Sequence, residues 1–329
     1  MTSTLQGIEV DAVSTPRDVY LQRYLQPFAP WLEATDVTEI LVNRPGEVWI
    51  ERLGVPRMQR EGVPTVDDAL MERLATQVAR ISHQAISREH PLLAATLPDG
   101  ARVQLVGPPA TRRHWALAIR RHLELDLPLD SYRFAAPTER NDAQWHPQPS
   151  LASLREAVAR RCTILISGGT SSGKTTFLNA LLKEVPAHER ILAVEDTPEL
   201  HLGQPNHLGL VAVKGEQGET RVGTGDLLQA ALRLRPDRLL LGEVRGAEAV
   251  TFLRAINTGH PGSFTTVHAN TPLGALEQLA LMVMQAGLGL SRADTLAYIR
   301  SVVDMVVQLG RVGGERRILE ILPLQGRAA

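Results

Sequence analysis

The residues with the most specific chemistry form a glycine-rich loop, Gly168-Gly169-Thr170-Ser171-Ser172-Gly173-Lys174-Thr175, which is followed by Thr176. The loop matches G-x-x-x-x-G-K-[ST] at every position, follows an apolar run and precedes a helical pattern. The glycines let backbone N–H groups curl around a β-phosphate, and the helix N-terminus adds partial positive charge. Lys174 would reach the β- and γ-phosphates, and the Thr175 hydroxyl would ligate Mg²⁺. The loop therefore predicts a site for a nucleoside triphosphate and Mg²⁺.

Acidic residues follow two further apolar runs. Glu195 and Asp196 close one run, and Glu243 follows another. Ligands of open parallel sheets lie beyond the carboxyl ends of the strands, so we expect these carboxylates to converge on the phosphates. One would orient or deprotonate the attacking water, and another would hold Mg²⁺ through water. The alternative is that each is an exposed acid at the end of a strand. The chain contains no N-K-x-D string, which argues against a guanine-selecting GTPase.

The second half of the chain alternates apolar strands with helical patterns, which predicts an α/β fold with a parallel sheet covered by helices. Helices are predicted to begin near Lys174, near Gly225 with Thr224 as N-cap, and near Ala247. A terminal hairpin is predicted to turn at Gly313-Gly314. The predicted strands are 163–167, 191–195, 238–242 and 263–267, and the hairpin strands are 305–309 and 318–322.

The first half has the pattern of a mixed α+β domain. Thr65 and Asp68 resemble a capping box, and apolar residues continue at helical spacing to Ile81. Periodicity fades where prolines are spread through polar residues, so we predict an amino-terminal domain at 1–121, a linker at 122–150 and a second domain at 151–329. The predicted strands of the first domain are 39–43, 48–51, 92–97, 102–106 and 115–120.

Composition narrows the class of protein. The 329 residues carry a formal net charge of −1, so overall charge gives no reason to expect binding to nucleic acid or acidic lipid. No basic stripe with interleaved aromatic residues is present, and no sequence-specific nucleic-acid binding is expected. Cys162 is the single cysteine, which excludes an internal disulfide and a thiolate zinc cluster and fits a reducing cytosol. We find neither a signal-peptide pattern nor an apolar run of membrane-spanning length, so work at a membrane would be peripheral.

Four blocks together resemble the hexameric secretion ATPases, the traffic motors of type IV secretion, type II secretion and type IV pili. They are the glycine-rich loop, the acidic box Glu195-Asp-Thr-Pro-Glu199, Leu239-Leu-Leu-Gly-Glu243, and a histidine box from Thr258 to Ala269. The Pro-Gly insertion after His260 is similar to the type IV secretion and conjugation branch. The resemblance implies a RecA-like P-loop ATPase domain behind an α+β amino-terminal domain.

The same resemblance implies roles for individual residues. Glu195 would polarise the attacking water, and Glu243 would serve Mg²⁺, by way of a water molecule. His260 and His268 would couple phosphate status to movement, although a hydrogen-bonded core histidine is the alternative for His268. From the amino-terminal domain Arg102 and Arg120 would reach nucleotide, because a guanidinium binds phosphate oxygens bidentately. The alternative for each arginine is a solvated charge on an edge strand.

Arg233 and Arg235 are predicted on the last turn of the helix that begins near Thr224. They would complement the negative end of that helix or meet the nucleotide of a neighbouring subunit, and the sequence does not decide between the two.

The resemblance also implies a working hypothesis for function. The chain would be an ATP-hydrolysing subunit of a homo-hexamer that drives substrate transfer or pilus assembly in a type IV secretion system. Its partners would be inner-membrane secretion-channel proteins and other secretion ATPases, and it would lie in the cytoplasm, peripherally associated with the bacterial inner membrane. Two alternatives stay open: a type IV pilus or type II secretion motor, and a nucleotide-gated scaffold with little turnover.

Overall fold

A computed structural model describes residues 16–121, 123, 126–136, 150–213 and 222–324. The chain divides into two compact units, Met1–Leu123 and Glu124–Ala329, and each has its own hydrophobic core. Among the described helices, none combines the length and apolar character needed to cross a bilayer. Most of the predicted linker, namely 122, 124–125 and 137–149, lies outside the described residues.

The first unit is an antiparallel sheet covered by helices. Its strand order is β3-β2-β1-β6-β5-β4, and all of its strand pairs are antiparallel. The elements are α1 (Pro16–Leu25), α2 (Ala29–Leu32), β1 (Val37–Val42), β2 (Gly46–Arg52), β3 (Gln59–Val63), α3 (Asp68–Ile81), β4 (Leu92–Thr96), β5 (Arg102–Val106) and β6 (Ala116–Arg120).

The first unit differs from the sequence prediction at the start of α3 and at β3, and helices α1 and α2 were not predicted. The N-cap of α3 is Asp67, whose side chain accepts a hydrogen bond from the backbone N–H of Leu70, so the predicted capping box of Thr65 and Asp68 is wrong. Strand β3 was not predicted, because it is a polar edge strand with four of its five residues exposed. An edge strand of this kind lacks the apolar alternation by which strands are recognised.

The second unit is a mostly parallel sheet with helices on both faces. Its elements are α4 (Leu151–Ala159), β7 (Ile164–Gly168), α5 (Lys174–Leu182), β8 (Ile191–Glu195), β9 (His207–Val211), α6 (Thr224–Leu232), β10 (Arg238–Leu241), α7 (Glu248–Asn257), β11 (Phe264–Val267), α8 (Pro272–Gln285), α9 (Arg292–Val302), β12 (Met305–Val312) and β13 (Glu315–Pro323).

The strand order of the second unit is β13-β12-β7-β11-β10-β8-β9, with β12 through β9 parallel and the β12–β13 hairpin antiparallel. This confirms the predicted parallel sheet and terminal hairpin. The central strands are buried along their whole length, as expected for a sheet covered on both faces. Strand β9 and helices α4, α8 and α9 were not predicted. Helix α8 is apolar around most of its surface because it packs against α7, α9 and the sheet, which blurs its helical period.

Part of the segment predicted as a linker packs on the second unit. Leu129 and Tyr132 are buried in its core, and the Tyr132 ring meets Phe177 edge-on at a centroid distance of 4.8 Å. Phe134 forms a β-bridge with Ile318. Proline-rich composition concealed these contacts, because they depend on residues distant in the sequence.

A buried ion pair holds the amino ends of the central strands. Arg238, at the start of β10, is fully buried and donates to both carboxylate oxygens of Glu189, at 2.5 and 3.0 Å. Its remaining guanidinium donors bond the carbonyls of Val158 and Gly262, at 2.8 and 3.3 Å. Burial favours the neutral form of Glu189, but the bonds to Arg238 prevail and hold the pKa of Glu189 below its ordinary value.

Replacing Arg238 with methionine is expected to destabilise the second unit by about 3–5 kcal/mol, because Glu189 would be left as a poorly compensated buried charge. Its other basic partner, Arg161, lies 3.5 Å away and is partly exposed. The measurement is urea unfolding followed by circular dichroism. Arg254→Met, at an exposed position on α7, is the control and is expected to change stability by less than about 0.5 kcal/mol. Equal stability of the two variants would contradict the role given to the ion pair.

Candidate nucleotide site

The glycine-rich loop joins β7 to α5 through two residues with positive φ. Ser171 has φ +58°, and Gly173, the N-cap of α5, has φ +89°. At Gly168 the close packing leaves no room for a side chain. A Cβ there would lie 2.3 Å from Ser172 Oγ and 3.0 Å from the Leu309 carbonyl oxygen. The loop is therefore shaped by glycines, and it directs the first turn of a helix towards a ligand, as phosphate binding requires.

Lys174 is tied to this loop. Its side chain is almost completely buried, and Nζ donates to the carbonyl oxygens of Gly168 and Gly169, at 3.0 and 3.1 Å. Thr175 and Thr176 follow it in the first turn of α5. The loop thus brings together an ammonium group, a helix N-terminus and two hydroxyl groups, which is the donor set that suits a polyphosphate with a hard cation.

His268 connects Lys174 to Glu243. The Nζ atom of Lys174 lies 3.3 Å from His268 Nδ1 and 3.4 Å from Nε2, and His268 Nε2 lies 3.0 Å from Glu243 Oε1. A carboxylate only accepts hydrogen bonds, so Nε2 carries the proton that faces Glu243. The Lys174 ammonium is nearly equidistant from the two ring nitrogens. His268 therefore contacts both the phosphate loop and an acidic residue at the end of a neighbouring strand.

Glu243 is held ionised by two partners. Arg245 donates to Glu243 Oε2 at 2.8 Å, and His268 faces the other oxygen. Burial raises the pKa of Glu243, but the hydrogen bonds from His268 and Arg245 outweigh it and lower that pKa to about 2. An ionised carboxylate beside the phosphate loop fits the expected role of serving Mg²⁺ together with Thr175.

Asp196 joins the same network from the neighbouring strand end. One of its oxygens lies 3.4 Å from the Arg245 guanidinium, and the other accepts from the Thr224 hydroxyl at 3.0 Å. Arg245 thus lies between two carboxylates. The charges alternate from Lys174 through Glu243 and Arg245 to Asp196.

Glu195 is buried at the end of β8 and faces a different set of groups. Its Oε1 atom accepts hydrogen bonds from the backbone N–H groups of Glu199 and Leu200, at 2.8 and 2.9 Å. Strand β8 lies three positions from β7 in the sheet, which corresponds to about 14 Å at the usual spacing of neighbouring strands. The carboxylate is thus anchored in the turn that follows its own strand.

The two predicted histidines lie at opposite edges of the sheet. His268 follows β11, whereas His260 precedes it and bonds the Pro236 carbonyl oxygen through Nδ1 at 3.0 Å. In a parallel sheet the phosphate loop and the start of β11 are on opposite edges, so the fold does not bring His260 to the loop within this unit. Gly262 in the same segment has φ +78°, and a Cβ there would lie 2.8 Å from an Arg238 guanidinium nitrogen.

In the first unit the structure pairs the two predicted arginines. Arg102 and Arg120 are directly opposite each other on β5 and β6, and Glu39 on β1 is opposite Arg120. Directly opposite residues share one face of a sheet, so the three side chains form a row. Arg120 Nε lies 3.8 Å from Glu39 Oε1. Burial raises the pKa of Glu39, although the charge of Arg120 opposes that shift.

The arginines after α6 lie outside the position predicted for them. The helix ends at Leu232, Arg233 is its C-cap, and Arg235 lies beyond the helix with φ +55°. At the other end the N-cap is Gly223 rather than Thr224, because the Asp226 carboxylate accepts from the Gly223 backbone N–H and Thr224 turns its hydroxyl towards Asp196.

Two arginines of the site were not singled out from the sequence. The spacing of Arg245, two residues after Glu243, was a usable signal, because long side chains that close together reach the same strand end. Arg316 had no such signal. It reaches the loop from β13, and a Cβ on Gly173 would lie 2.7 Å from its Cδ atom.

A family profile described as Type II/IV secretion system protein matches residues 22–313 of this chain. The chain belongs to this family. Its relatives include the type IV secretion system protein VirB11 of Bartonella quintana, which is 38% identical over 90% of this chain and 91% of its own length. The type IV secretion system protein PtlH of Bordetella pertussis is 40% identical over 93% and 95%, respectively.

Among solved structures, the ATPase DotB of Legionella pneumophila aligns with a TM-score of 0.59 at 19% identity, over 97% of this chain and 84% of that one. At that identity the likeness shows the fold alone. It confirms the expected fold class, a RecA-like P-loop domain with a mixed α+β amino-terminal domain.

Gly168→Ala is expected to destabilise the chain by about 1–3 kcal/mol and to weaken ATP binding, because the added methyl group would displace Ser172 and the loop. The measurements are urea unfolding and titration calorimetry with an ATP analogue. Gly203→Ala is the matched control, since a Cβ there meets nothing within 4 Å. Unchanged ATP affinity in Gly168→Ala would contradict the loop assignment.

Arg245→Met is expected to raise the pKa of Glu243 above about 2, because one of its two stabilising partners is lost. A lowered carboxyl pKa stabilises the fold above the unfolded value and loses that effect as pH falls through the folded value. In the variant this loss therefore begins at a higher pH. The measurement is the ¹³C carboxyl shift of Glu243 from about pH 7 to about pH 3, assigned with Glu243→Gln; identical titration of both proteins would contradict the prediction.

Proposed function

We propose that this chain is the ATP-hydrolysing motor that energises a type IV secretion system. The observation that carries the proposal is the connection of Lys174, in a complete phosphate loop, to the ionised Glu243 through His268. The type IV secretion names of relatives that align along nearly the whole chain supply the biological context. They favour this branch over a pilus or type II secretion motor.

In the proposed reaction the loop backbone and Lys174 hold the β- and γ-phosphates of ATP. Thr175 and Glu243 would hold Mg²⁺, Glu243 by way of water, and the ion when bound would supply positive charge to the transferred phosphoryl group. Glu195 orients the attacking water, and its fixed carboxylate suits that task because positioning is the main contribution of protein groups in phosphoryl transfer.

The residues around Glu243 are arranged in a way that would allow them to detect whether the γ-phosphate of ATP is present. His268 contacts both Lys174 and Glu243, so any shift of the Lys174 ammonium towards a phosphate changes what the histidine contacts. Arg245 and Asp196 extend the same network to α6. We propose that this network conveys the presence of the γ-phosphate to the helices, which gives hydrolysis a mechanical consequence.

Arg102 and Arg120 are proposed to bind nucleotide phosphate from the first unit. Two like charges directly opposite each other on one sheet face repel, and an anion relieves that repulsion. His260 lies at the far edge of the sheet, where it is proposed to act at the surface rather than on the phosphates of its own subunit. Assembly as a homo-hexamer, association with inner-membrane channel proteins and peripheral attachment to the membrane complete the proposal.

Lys174→Ala is expected to lower steady-state phosphate release at least about 100-fold, because transition-state charge loses its nearest cation. Lys183→Ala is the matched control, a lysine at the other end of α5 that pairs with Asp126. It is expected to keep full turnover. Circular dichroism and thermal unfolding check that both variants fold. Unchanged turnover in folded Lys174→Ala would reject the ATPase assignment, and ATP binding without sustained turnover in the unmodified protein would favour the scaffold alternative.

A further inference from the structure

A buried amide on α5, the helix that follows the phosphate loop, is hydrogen-bonded to the turn at 199–201 after β8. Asn179 is buried on α5, and its side chain makes two hydrogen bonds with the same stretch of backbone. Its Nδ2 atom donates to the Glu199 carbonyl oxygen at 3.0 Å, and its Oδ1 atom accepts from the His201 N–H at 3.0 Å. The Asn179 side chain thus satisfies one backbone carbonyl and one backbone N–H of this turn, in the way that a neighbouring strand would.

The same turn holds Glu195. The N–H groups of Glu199 and Leu200 donate to Glu195 Oε1, while the Glu199 carbonyl and the His201 N–H bond Asn179. The Glu199 carbonyl and the Leu200 N–H belong to one planar peptide unit. The bond from Asn179 to that carbonyl therefore fixes the direction of the Leu200 N–H that donates to the Glu195 carboxylate.

Asn179 is linked to the phosphate loop by a continuous helix. It lies on the helix that begins at Lys174, about 7.5 Å along the helix axis at the usual rise per residue. The helix therefore provides a direct structural connection between the loop and the turn at 199–201.

We propose that Asn179 is a positioning residue for ATP hydrolysis, which aligns Glu195 through the turn at 199–201 and couples that alignment to the state of the phosphate loop. The inference rests on the proposed function, in which Glu195 orients the attacking water. Asn179 itself touches neither nucleotide nor water in this role.

The chain offers a matched control in a side chain that contacts the same helix from outside it. Gln204 is another buried amide, and its Nε2 atom donates to the carbonyl oxygens of Leu182 and Val185, at 2.8 and 3.3 Å. Gln204 thus contacts the carboxyl end of α5, and its two hydrogen bonds do not involve the turn at 199–201. Gln204→Ala removes similar polar contacts and leaves the partners of Glu195 in place.

The test is steady-state hydrolysis by the full-length protein. Asn179→Ala is expected to lower kcat about 10–100-fold, as loss of an outer-shell partner does. Its KM for ATP is expected to stay within about twofold, because the phosphate loop is intact. Gln204→Ala is expected to lower the unfolding midpoint while kcat per folded molecule is kept. A raised KM with unchanged kcat in Asn179→Ala would overturn the inference. Equal losses of kcat in Asn179→Ala and Gln204→Ala would overturn it as well.

A double-mutant cycle separates positioning from general structural support. In a Glu195→Gln background, Asn179→Ala is expected to change the residual kcat by less than about twofold, because the group it positions is already gone. A further loss as large as in the unmodified background would overturn the inference. Unchanged kcat in Glu195→Gln alone would overturn it too, by removing the role of Glu195.

Amide hydrogen exchange provides a readout that requires no turnover. In Asn179→Ala the Leu200 amide is expected to exchange faster than in the unmodified protein, and unchanged protection would overturn the inference. The experiments distinguish failure of the inference about Asn179 from failure of the proposed ATPase function. Lys174→Ala without activity and Asn179→Ala with full activity would reject the inference alone, whereas active Lys174→Ala would reject the ATPase proposal.

Discussion

The parallel polarity of the central strands is the constraint on which the rest of the second unit depends. Since β7, β11, β10 and β8 run in the same direction, the groups that follow them all lie on one edge of the sheet. The phosphate loop, His268, Glu243 and Glu195 follow these strands in that spatial order. Reversing any one strand would place its functional residue on the edge occupied by Arg238 and His260.

The alternation of charge along that edge keeps Glu243 ionised in a partly buried place. A lone buried carboxylate would take up a proton, because burial disfavours the charged form. Glu243 avoids this because His268 and Arg245 each face one of its oxygens. Asp196 shares Arg245 with it, so removal of that single arginine disturbs two acids at once. The network is therefore sensitive to any ligand that draws Lys174 or Arg245 away.

The residues at the opposite edge of the sheet stabilise the fold. Arg238 occupies the centre of this edge, with Glu189 and two backbone carbonyls as its partners. Gly262 is required there because a side chain would collide with the arginine, which gives the Pro-Gly insertion of the histidine box a packing reason.

Local sequence was sufficient for what depends on neighbours in the chain. The glycine-rich loop, the buried strands, the hairpin turn at Gly313-Gly314 and the acids at strand ends could all be predicted, because glycine conformation and apolar periodicity are local properties. Arg245 was within reach of the same reasoning. Strand β3 was not predicted because it is polar, and helix α8 was not predicted because it is apolar around most of its surface. The packing of Leu129 and Tyr132 could not be predicted because their partners are far away in the sequence.

Only the tertiary structure decided which of these groups meet. The sequence by itself determined that a phosphate loop, two acids and two histidines are present in order. Sheet topology then placed His268 beside Lys174 and His260 at the far edge, although both belong to one motif, because a single strand separates them. It also turned Glu195 towards the turn that Asn179 holds. Distances across a sheet depend on strand order, and strand order is set by packing between residues that no local pattern connects.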